Sequence, residues 1–427
     1  MAGLATLAKD AGYEVSGSDI QITQNFGLLK SRGITDINVG QASEQIAETN
    51  RKKQIDWFVY SSALNSVKDH PELEFCKAND IKISKRDELI NQIISDKNLK
   101  LVAIAGTHGK TTTTAMTIWA LKQLGLQTTY LVGATLSSGD MGAYEPESEY
   151  FIYECDEFDR NFLAYSPFFS IISGVGYDHH EIYPTREDYN QSFRQFLNQS
   201  QRAILWNSDA DKLGLDRKND KYTLEDEANP AVEDVTLTGL YNRRDGWLVV
   251  NAVSQITGAT VSAVTDAIND FPGVGRRFEK ISNNLYSDDA HTPEKIVGCM
   301  SVARETAKKN GIQKIVVIYE PLTNRRMHYL AKDHHSVFDG ADKIYWLPSY
   351  LAREDPSLSI LSPEQLIQNL SPSLRSVAEP ADKNNELKAK ISHHLQSGDL
   401  VVAMAGGGGG SLDEWLRQEF LDQSPST

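Results

Sequence analysis

The stretch VAIAGTHGKTTTT, residues 102–114, holds the residue types that bind phosphate. An apolar run leads into Gly106, then Gly109 and Lys110, and Thr111 to Thr114 follow. Backbone N–H groups at a helix N-terminus receive phosphate oxygens, and the helix dipole favours the anion. Gly106 and Gly109 let the backbone come close. Lys110 reaches the terminal phosphates, and the Thr111 hydroxyl is a Mg²⁺ ligand. The expected cradle is Gly106, Thr107, His108, Gly109, Lys110, Thr111 and Thr112. The spacing is Gly-x-x-Gly-Lys-Thr, and Ile104 stands where the longer form of the motif has its first glycine. A chance Gly-Lys-Thr in a surface loop would lack the strand pattern before it and the helix pattern after it.

Four further clusters lie at apparent strand ends. In YECDEFDRN, 153–161, Glu154 has Asp156, Glu157 and Asp159 nearby. Mg²⁺ takes hard oxygen ligands and keeps several waters, so Glu154 is the expected second protein ligand. In GVGYDHHEIYP, 174–184, Asp178, His179, His180 and Glu181 crowd together. A histidine there either ligates a second Mg²⁺ or orients a substrate, whereas adjacent histidines taken alone are ordinary surface residues. No Cys or His recurs at the spacing zinc needs. In YSDDAHTPEKI, 286–296, Asp288 and His291 flank a turn that also suits a helix start at Pro293. In IYEPLTNRRMH, 318–328, Arg325 and Arg326 follow a buried run, where open sheets bind ligands. Unaided, that segment reads equally well as a solvated basic turn.

The elements that position these clusters alternate strand and helix. NLKLVAIAG, TTYLVG, YFIYEC, FFSIISGV and RAILWN read as strands, with helices over KTTTTAMTIWALKQLG and REDYNQSFRQFLNQ. Near-continuous apolar strands argue for a mainly parallel sheet covered on both faces. Before them, GLATLAKDAGY reads as an amphipathic helix, QIDWFVYSSA as a buried strand, and IKISKRDELINQII as a strand running into a helix. Such a β-α-β fold usually opens with a strand and a glycine-rich turn. Met1 falls where that turn should feed the first helix, so the opening strand is expected either to be lost or to lie upstream. Residues 207–240 read as polar loops with one edge strand at most. FPGVGRR, 271–277, reads as a linker, and KIVVIYEP, DKIYWLP and DLVVAMAGG are three more buried strands. The only low-complexity run is GGGGG, 406–410.

The bulk composition narrows the class. A chain of 427 residues predicts about three domains. No apolar run approaches the roughly 18 residues of a membrane span. The first ten residues include Lys9 and Asp10 and lack the pattern of a signal peptide. A net charge of −15 and the lack of a basic cluster argue against a nucleic-acid partner. Three scattered cysteines fit a reducing compartment without a disulfide framework.

Taken together and in this order, the segments resemble the Mur ligase family over nearly the whole chain. AGTHGKTTTT is similar to that family's ATP loop. ECDEFDRNFL, followed by Pro167 and Asp178-His179, resembles its EADESDxSFL…P…DH. GLYN, 239–242, resembles the GxHN that contacts adenine, which implies that role for Asn242. FPGVGRRFE resembles the linker into the C-terminal domain, and the resemblance implies ATP contacts for Arg276 and Asp288. GYEVSGSD and SSA are similar to the UDP-binding domain, which implies sugar-nucleotide contacts at Ser18, Asp19, Ser61 and Ser62. The implied fold is α/β in three domains. These are an N-terminal Rossmann-like UDP-binding domain with a truncated first strand (1–96), a central P-loop ATPase-type domain (97–271) and a C-terminal Rossmann-like domain (272–427).

The resemblance is closest to the branch that joins an amino acid to UDP-N-acetylmuramate. It implies an amide-bond ligase of the cytoplasm, monomeric or homodimeric, with L-alanine as the amine and an acyl phosphate as intermediate. The implied catalytic residues are Lys110, Glu154, His179, His291 and Arg326, with Mg²⁺ on Thr111, Glu154 and His179. Two alternatives remain. MAGGGGGSL resembles the branch that attaches a whole tripeptide to the same sugar nucleotide. A nucleotide-binding protein that no longer ligates is the other. The departures cluster near the implied amino-acid pocket: Asp289 holds a tyrosine position, Leu322 a histidine position and Thr323 an arginine position.

Overall fold

Two runs of six residues, KLVAIA and LVVAMA, lie inside the two large sheets of the chain. The structure is a computed structural model. It describes residues 1–427 except 23–24, 63, 65–66, 68, 137–139, 180–181, 352–353 and 422–427. The chain divides into two compact units. One comprises Met1–Val235 with Arg244–Pro272, the other Thr236–Arg243 with Gly273–Thr427.

The first unit carries a seven-stranded sheet. Across it the order is Tyr222–Glu225, Arg202–Trp206, Phe169–Ile172, Lys100–Ala105, Tyr150–Glu154, Thr129–Leu131 and Gly142–Ala143. Every pairing is parallel except that of the short last strand. The strand Lys100–Ala105 is buried along its length after Lys100. Leu101, Ala103 and Ala105 share a core with Tyr189, Phe193, Phe196 and Leu197 of the helix Arg186–Gln199. Those four residues recur at the spacing of one helix face. Thr185 and Asp188 start that helix with a capping box, each side chain accepting from the other's backbone N–H at 3.1 Å.

Ahead of the large sheet lie two parallel two-stranded pairs, Gly17–Asp19 with Ile37–Val39 and Trp57–Tyr60 with Lys82–Lys85. The strand Trp57–Tyr60 is half-buried rather than buried. The polar region 207–240 contains more than the one expected edge strand. Tyr222–Glu225 is that edge, but Asn207–Leu213 is a helix. The helix buries Asp209, Ala210 and Leu213 and stops at Gly214, which takes a left-handed φ of 61°. Three inward residues are too few to give a periodic signal.

The second unit carries a six-stranded sheet. Its order is Glu279–Ser282, Leu285–Asp288, Leu400–Ala405, Ile315–Glu320, Lys343–Trp346 and Ala378–Pro380, with only the first strand antiparallel. Successive side chains on a strand point to opposite faces. Accordingly Leu400, Val402 and Met404 enter one core, and Val401, Ala403 and Ala405 the other. Coverage on both faces is why these strands lack polar alternation.

Candidate functional site

In a parallel sheet ligands bind off the carboxyl ends of the strands. The strand Lys100–Ala105 lies between Tyr150–Glu154 and Phe169–Ile172. The phosphate-binding loop therefore emerges between the segments that carry Glu154 and His179. Its glycines are required by shape. Gly106 has φ 148°, and a Cβ there would sit 2.5 Å from Ser173 Oγ and 3.0 Å from the Gly174 carbonyl oxygen. Gly109 has φ 76°, and its Cβ would meet Asp245 Oδ2 at 2.7 Å. Ile104, at the variant position of the motif, is a fully buried strand residue. The helix Lys110–Gln123 then opens with four threonines, poor helix formers. Packing overrides that weakness: Thr113 and Thr114 are fully buried, and Thr114 Oγ1 donates to the Lys110 carbonyl at 2.8 Å.

Lys110 donates from Nζ to Glu157 Oε2 and to the Gly106 carbonyl, each at 2.6 Å. Burial by itself would lower the Lys110 pKa, but Glu157, Asp156 and Glu154 outweigh it and hold the ammonium above its ordinary value. Burial likewise pushes the Glu157 carboxyl up. Lys110 and His179 overcome that and hold it at about 2. Thr111 Oγ1 donates to Glu154 Oε1 at 2.9 Å, and the Gly133 N–H donates to Glu154 Oε2 at 2.7 Å. Thr111 and Glu154, expected as ligands of one Mg²⁺, are in direct hydrogen-bond contact.

His179 has a left-handed φ of 56° and places Nε2 3.6 Å from Glu157 Oε1. Asp156, Glu157 and His179 offer ligand atoms that all lie within 4.8 Å of one another. The two carboxylates suit a hard divalent cation, and the imidazole adds a nitrogen donor of intermediate softness. Asp159 is drawn aside by Lys85, 2.8 Å away. His180 and Glu181 lie outside the described residues. Glu157 as the partner of Lys110 was not singled out from sequence. The available signal was its spacing, three residues beyond Glu154 where the strand curls into a short helix at Phe158–Ala164.

The remaining expected residues of this unit fall in two places. Ser173 Oγ donates to the His108 carbonyl, and the Thr107 Oγ1 lies 2.6 Å from the Tyr189 hydroxyl. Thr112 lies on the first turn of the helix Lys110–Gln123. Ser62 Oγ accepts from Asn161 Nδ2 at 3.3 Å, which brings the end of the Trp57–Tyr60 strand, and with it Ser61, to the Phe158–Ala164 segment. Ser18 Oγ donates to the buried Glu72 at 2.9 Å, and the Asp19 carbonyl accepts from the Gly40 N–H at 2.8 Å.

In the second unit, Asp288 ends the strand Leu285–Asp288 and His291 follows it, and Arg326 lies in the helix Asn324–Leu330. Burial raises the Asp288 carboxyl to about 6, against the pull of Arg277. Its Oδ2 accepts from the Phe278 N–H at 2.7 Å. Burial, with Lys295 and Arg326 nearby, pushes His291 down to about 3, so the ring is neutral at pH 7. Arg276 donates to Asp289 and to the carbonyls of Ala405 and Gly407, tying it to the start of the glycine run. Asn242 Nδ2 donates to the Thr238 carbonyl at 2.8 Å.

Comparisons with known proteins agree over both units. The family model described as Mur ligase family, catalytic domain, matches residues 1–98, and that described as Mur ligase middle domain matches residues 104–257. The UDP-N-acetylmuramate–L-alanine ligase of Syntrophomonas wolfei is 28% identical, with 100% of this chain and 95% of that protein aligned. The enzyme of the same name from Thermobifida fusca is 28% identical over 95% of this chain and 91% of its own. Among solved structures, the UDP-N-acetylmuramate–alanine ligase of Thermotoga maritima superposes with a TM-score of 0.74 at 22% identity, covering 98% of this chain and 95% of its own. A murein peptide ligase from Psychrobacter arcticus gives 0.63 at 20%, covering 97% and 95%.

Proposed function

The chain belongs to the Mur ligase family, and on that footing we propose that it joins L-alanine to the lactyl carboxylate of UDP-N-acetylmuramate at the expense of ATP, in peptidoglycan precursor synthesis. The observation that carries the reading is the charge arrangement around the loop. One lysine and one hydroxyl on successive residues meet two carboxylates, Glu157 and Glu154, that leave a single neighbouring strand.

A carboxylate acylates poorly because its leaving oxygen is too basic. The γ-phosphorus of ATP forms a bond to a carboxylate oxygen and loses its bond to the β-phosphate oxygen, giving ADP and an acyl phosphate. The amine then forms a C–N bond at the acyl carbon and releases a proton and inorganic phosphate. Phosphoryl transfer is governed mainly by positioning and charge stabilisation. Lys110 supplies the loop's ammonium, exchanging Glu157 for phosphoryl oxygens. Backbone N–H groups of residues 108–111 hold the β-phosphate, the Thr107 N–H being donated to the Gly174 carbonyl. His291 and Arg326 are assigned to the acyl phosphate and to the carboxylate of the incoming amino acid.

The donor set fits Mg²⁺, with Thr111 and Glu154 at one position and Asp156, Glu157 and His179 at another. The fit rests on the ligand atoms of Asp156, Glu157 and His179 lying within 4.8 Å of one another, with Glu157 released to a metal when Lys110 turns to phosphate. Bound there, Mg²⁺ would neutralise phosphate and carboxylate charge that otherwise repels.

Phosphate release with ATP and UDP-N-acetylmuramate, scanned over L-alanine, L-serine, glycine and a tripeptide, tests the reading. L-alanine is expected to be the preferred amine. A preference for the tripeptide would move the protein to the recycling branch, whose glycine-rich C-terminal end MAGGGGGSL resembles. Release with none of the four would refute ligation.

A further inference from the structure

Tyr189 is fully buried at the start of the helix Arg186–Gln199, yet its hydroxyl faces two polar groups of the nucleotide site. It lies 2.6 Å from Thr107 Oγ1 and donates to Glu157 Oε1 at 3.5 Å. The proton directions agree. Thr107 Oγ1 already accepts the Gly176 N–H at 2.8 Å, so its own hydrogen is free to reach the tyrosine oxygen. The tyrosine hydrogen then points to the carboxylate. Thr107 N–H also donates to the Gly174 carbonyl at 2.8 Å. Thr107 thus stitches the phosphate-binding loop to the segment that leads to His179. A second tyrosine works from the other side: Tyr183 Oη donates to the Glu157 carbonyl at 2.6 Å, and its ring packs edge-on against Tyr189 at 4.9 Å.

We infer that Tyr189 is a positioning residue whose hydroxyl couples Thr107 of the phosphate-binding loop to the Glu157 carboxylate that holds Lys110. This rests on the proposed ATP site but goes beyond it. A packing role would need only the ring, which already sits among Tyr177, Tyr183 and Phe193. The hydroxyl serves the loop. Without it, Thr107 loses one of the two hydrogen bonds on its hydroxyl, and Glu157 loses one donor on the oxygen that faces His179.

The test uses the full-length protein with Tyr189→Phe, Thr107→Val, Thr107→Ser and the double variant Tyr189→Phe/Thr107→Val. Two readouts are taken: steady-state phosphate release with ATP, UDP-N-acetylmuramate and L-alanine, and calorimetric binding of a non-hydrolysable ATP analogue. Tyr189→Phe is expected to lower kcat about tenfold and weaken the analogue by a similar factor, the size of one hydrogen bond to a charged network. The KM for UDP-N-acetylmuramate stays unchanged. Thr107→Ser keeps the hydroxyl and recovers most of the loss caused by Thr107→Val. The double variant is no worse than the poorer single.

Kinetics and analogue affinity within about twofold of wild type for Tyr189→Phe would overturn the inference, as would losses that add in the double variant. The two readouts separate the failures. A wild type that binds the analogue and shows the tenfold gap, but releases no phosphate, sinks ligation and leaves the coupling standing. A wild type that ligates alongside an unaffected Tyr189→Phe sinks the coupling alone.

Discussion

Replacing Glu157 by glutamine removes the charge opposite Lys110 while keeping the shape. The carboxyl is fully buried and is held at about 2 against an ordinary 4.5. At about 1.4 kcal/mol per tenfold change, that depression favours the charged form by about 3 kcal/mol. For an acid with a depressed folded value, this stabilisation is complete above pH 4.5 and fades as the pH falls toward 2. Glu157→Gln is therefore expected to lose about 3 kcal/mol at pH 7, in line with breaking a buried ion pair from one side. Urea unfolding followed by circular dichroism measures the loss. Saturating ATP without Mg²⁺ should shrink the gap, because the triphosphate then supplies the anion that Lys110 lacks. Lys110→Ala combined with Glu157→Gln should cost less than the two single losses added together. A loss below about 1 kcal/mol for Glu157→Gln would refute the reasoning, because so small a cost belongs to an exposed pair. A gap that ATP leaves unchanged would refute the exchange of Glu157 for phosphate.

Lys110→Ala should lower kcat by two to three orders of magnitude, the scale of about 3 to 4 kcal/mol for one transition-state donor. Calorimetric binding of UDP-N-acetylmuramate should survive that substitution. Gly109→Ala combines a left-handed backbone, which costs about 1 to 2 kcal/mol for a side chain, with a clash against Asp245. Its ATP affinity, read by the same calorimetry, should fall more than tenfold, by about 1.4 kcal/mol or more. Asp288 has a raised folded value of about 6 against 3.8. Its neutral form is favoured by burial, so stability should fall by about 3 kcal/mol as the pH rises from 3.8 to 6 and stay level above that. Asp288→Asn keeps an oxygen for the Phe278 N–H and should flatten that slope in unfolding curves taken between pH 4 and 7.

Much of this site is legible locally. Gly106, Gly109, Lys110 and Thr111 sit within six residues, and one strand-to-helix turn fixes their relation. Glu154 is legible too, because an acid closing an apolar run must stand at a strand end. Glu157 is not. Its weight comes from Lys110, 47 residues away, and nothing in ECDEFD ranks it above Asp156 or Asp159. Only the structure shows Asp159 turned to Lys85 while Glu157 is sealed against the loop. Tyr189 is hidden for the opposite reason. It falls on the apolar stripe of its helix, so periodicity files it with Phe193 and Phe196 as core.

The amino-acid sequence by itself determined the strand and helix menu, the phosphate-binding loop and the acids that could face it. Those depend on side-chain period, backbone freedom and charge over a few residues. Only the tertiary structure decided that the loop strand lies between Tyr150–Glu154 and Phe169–Ile172, and which acid pairs with which cation. Strand order is chosen by burial across the whole sheet. Pairing follows from which carboxylate loses its water, and neither is encoded in any short window.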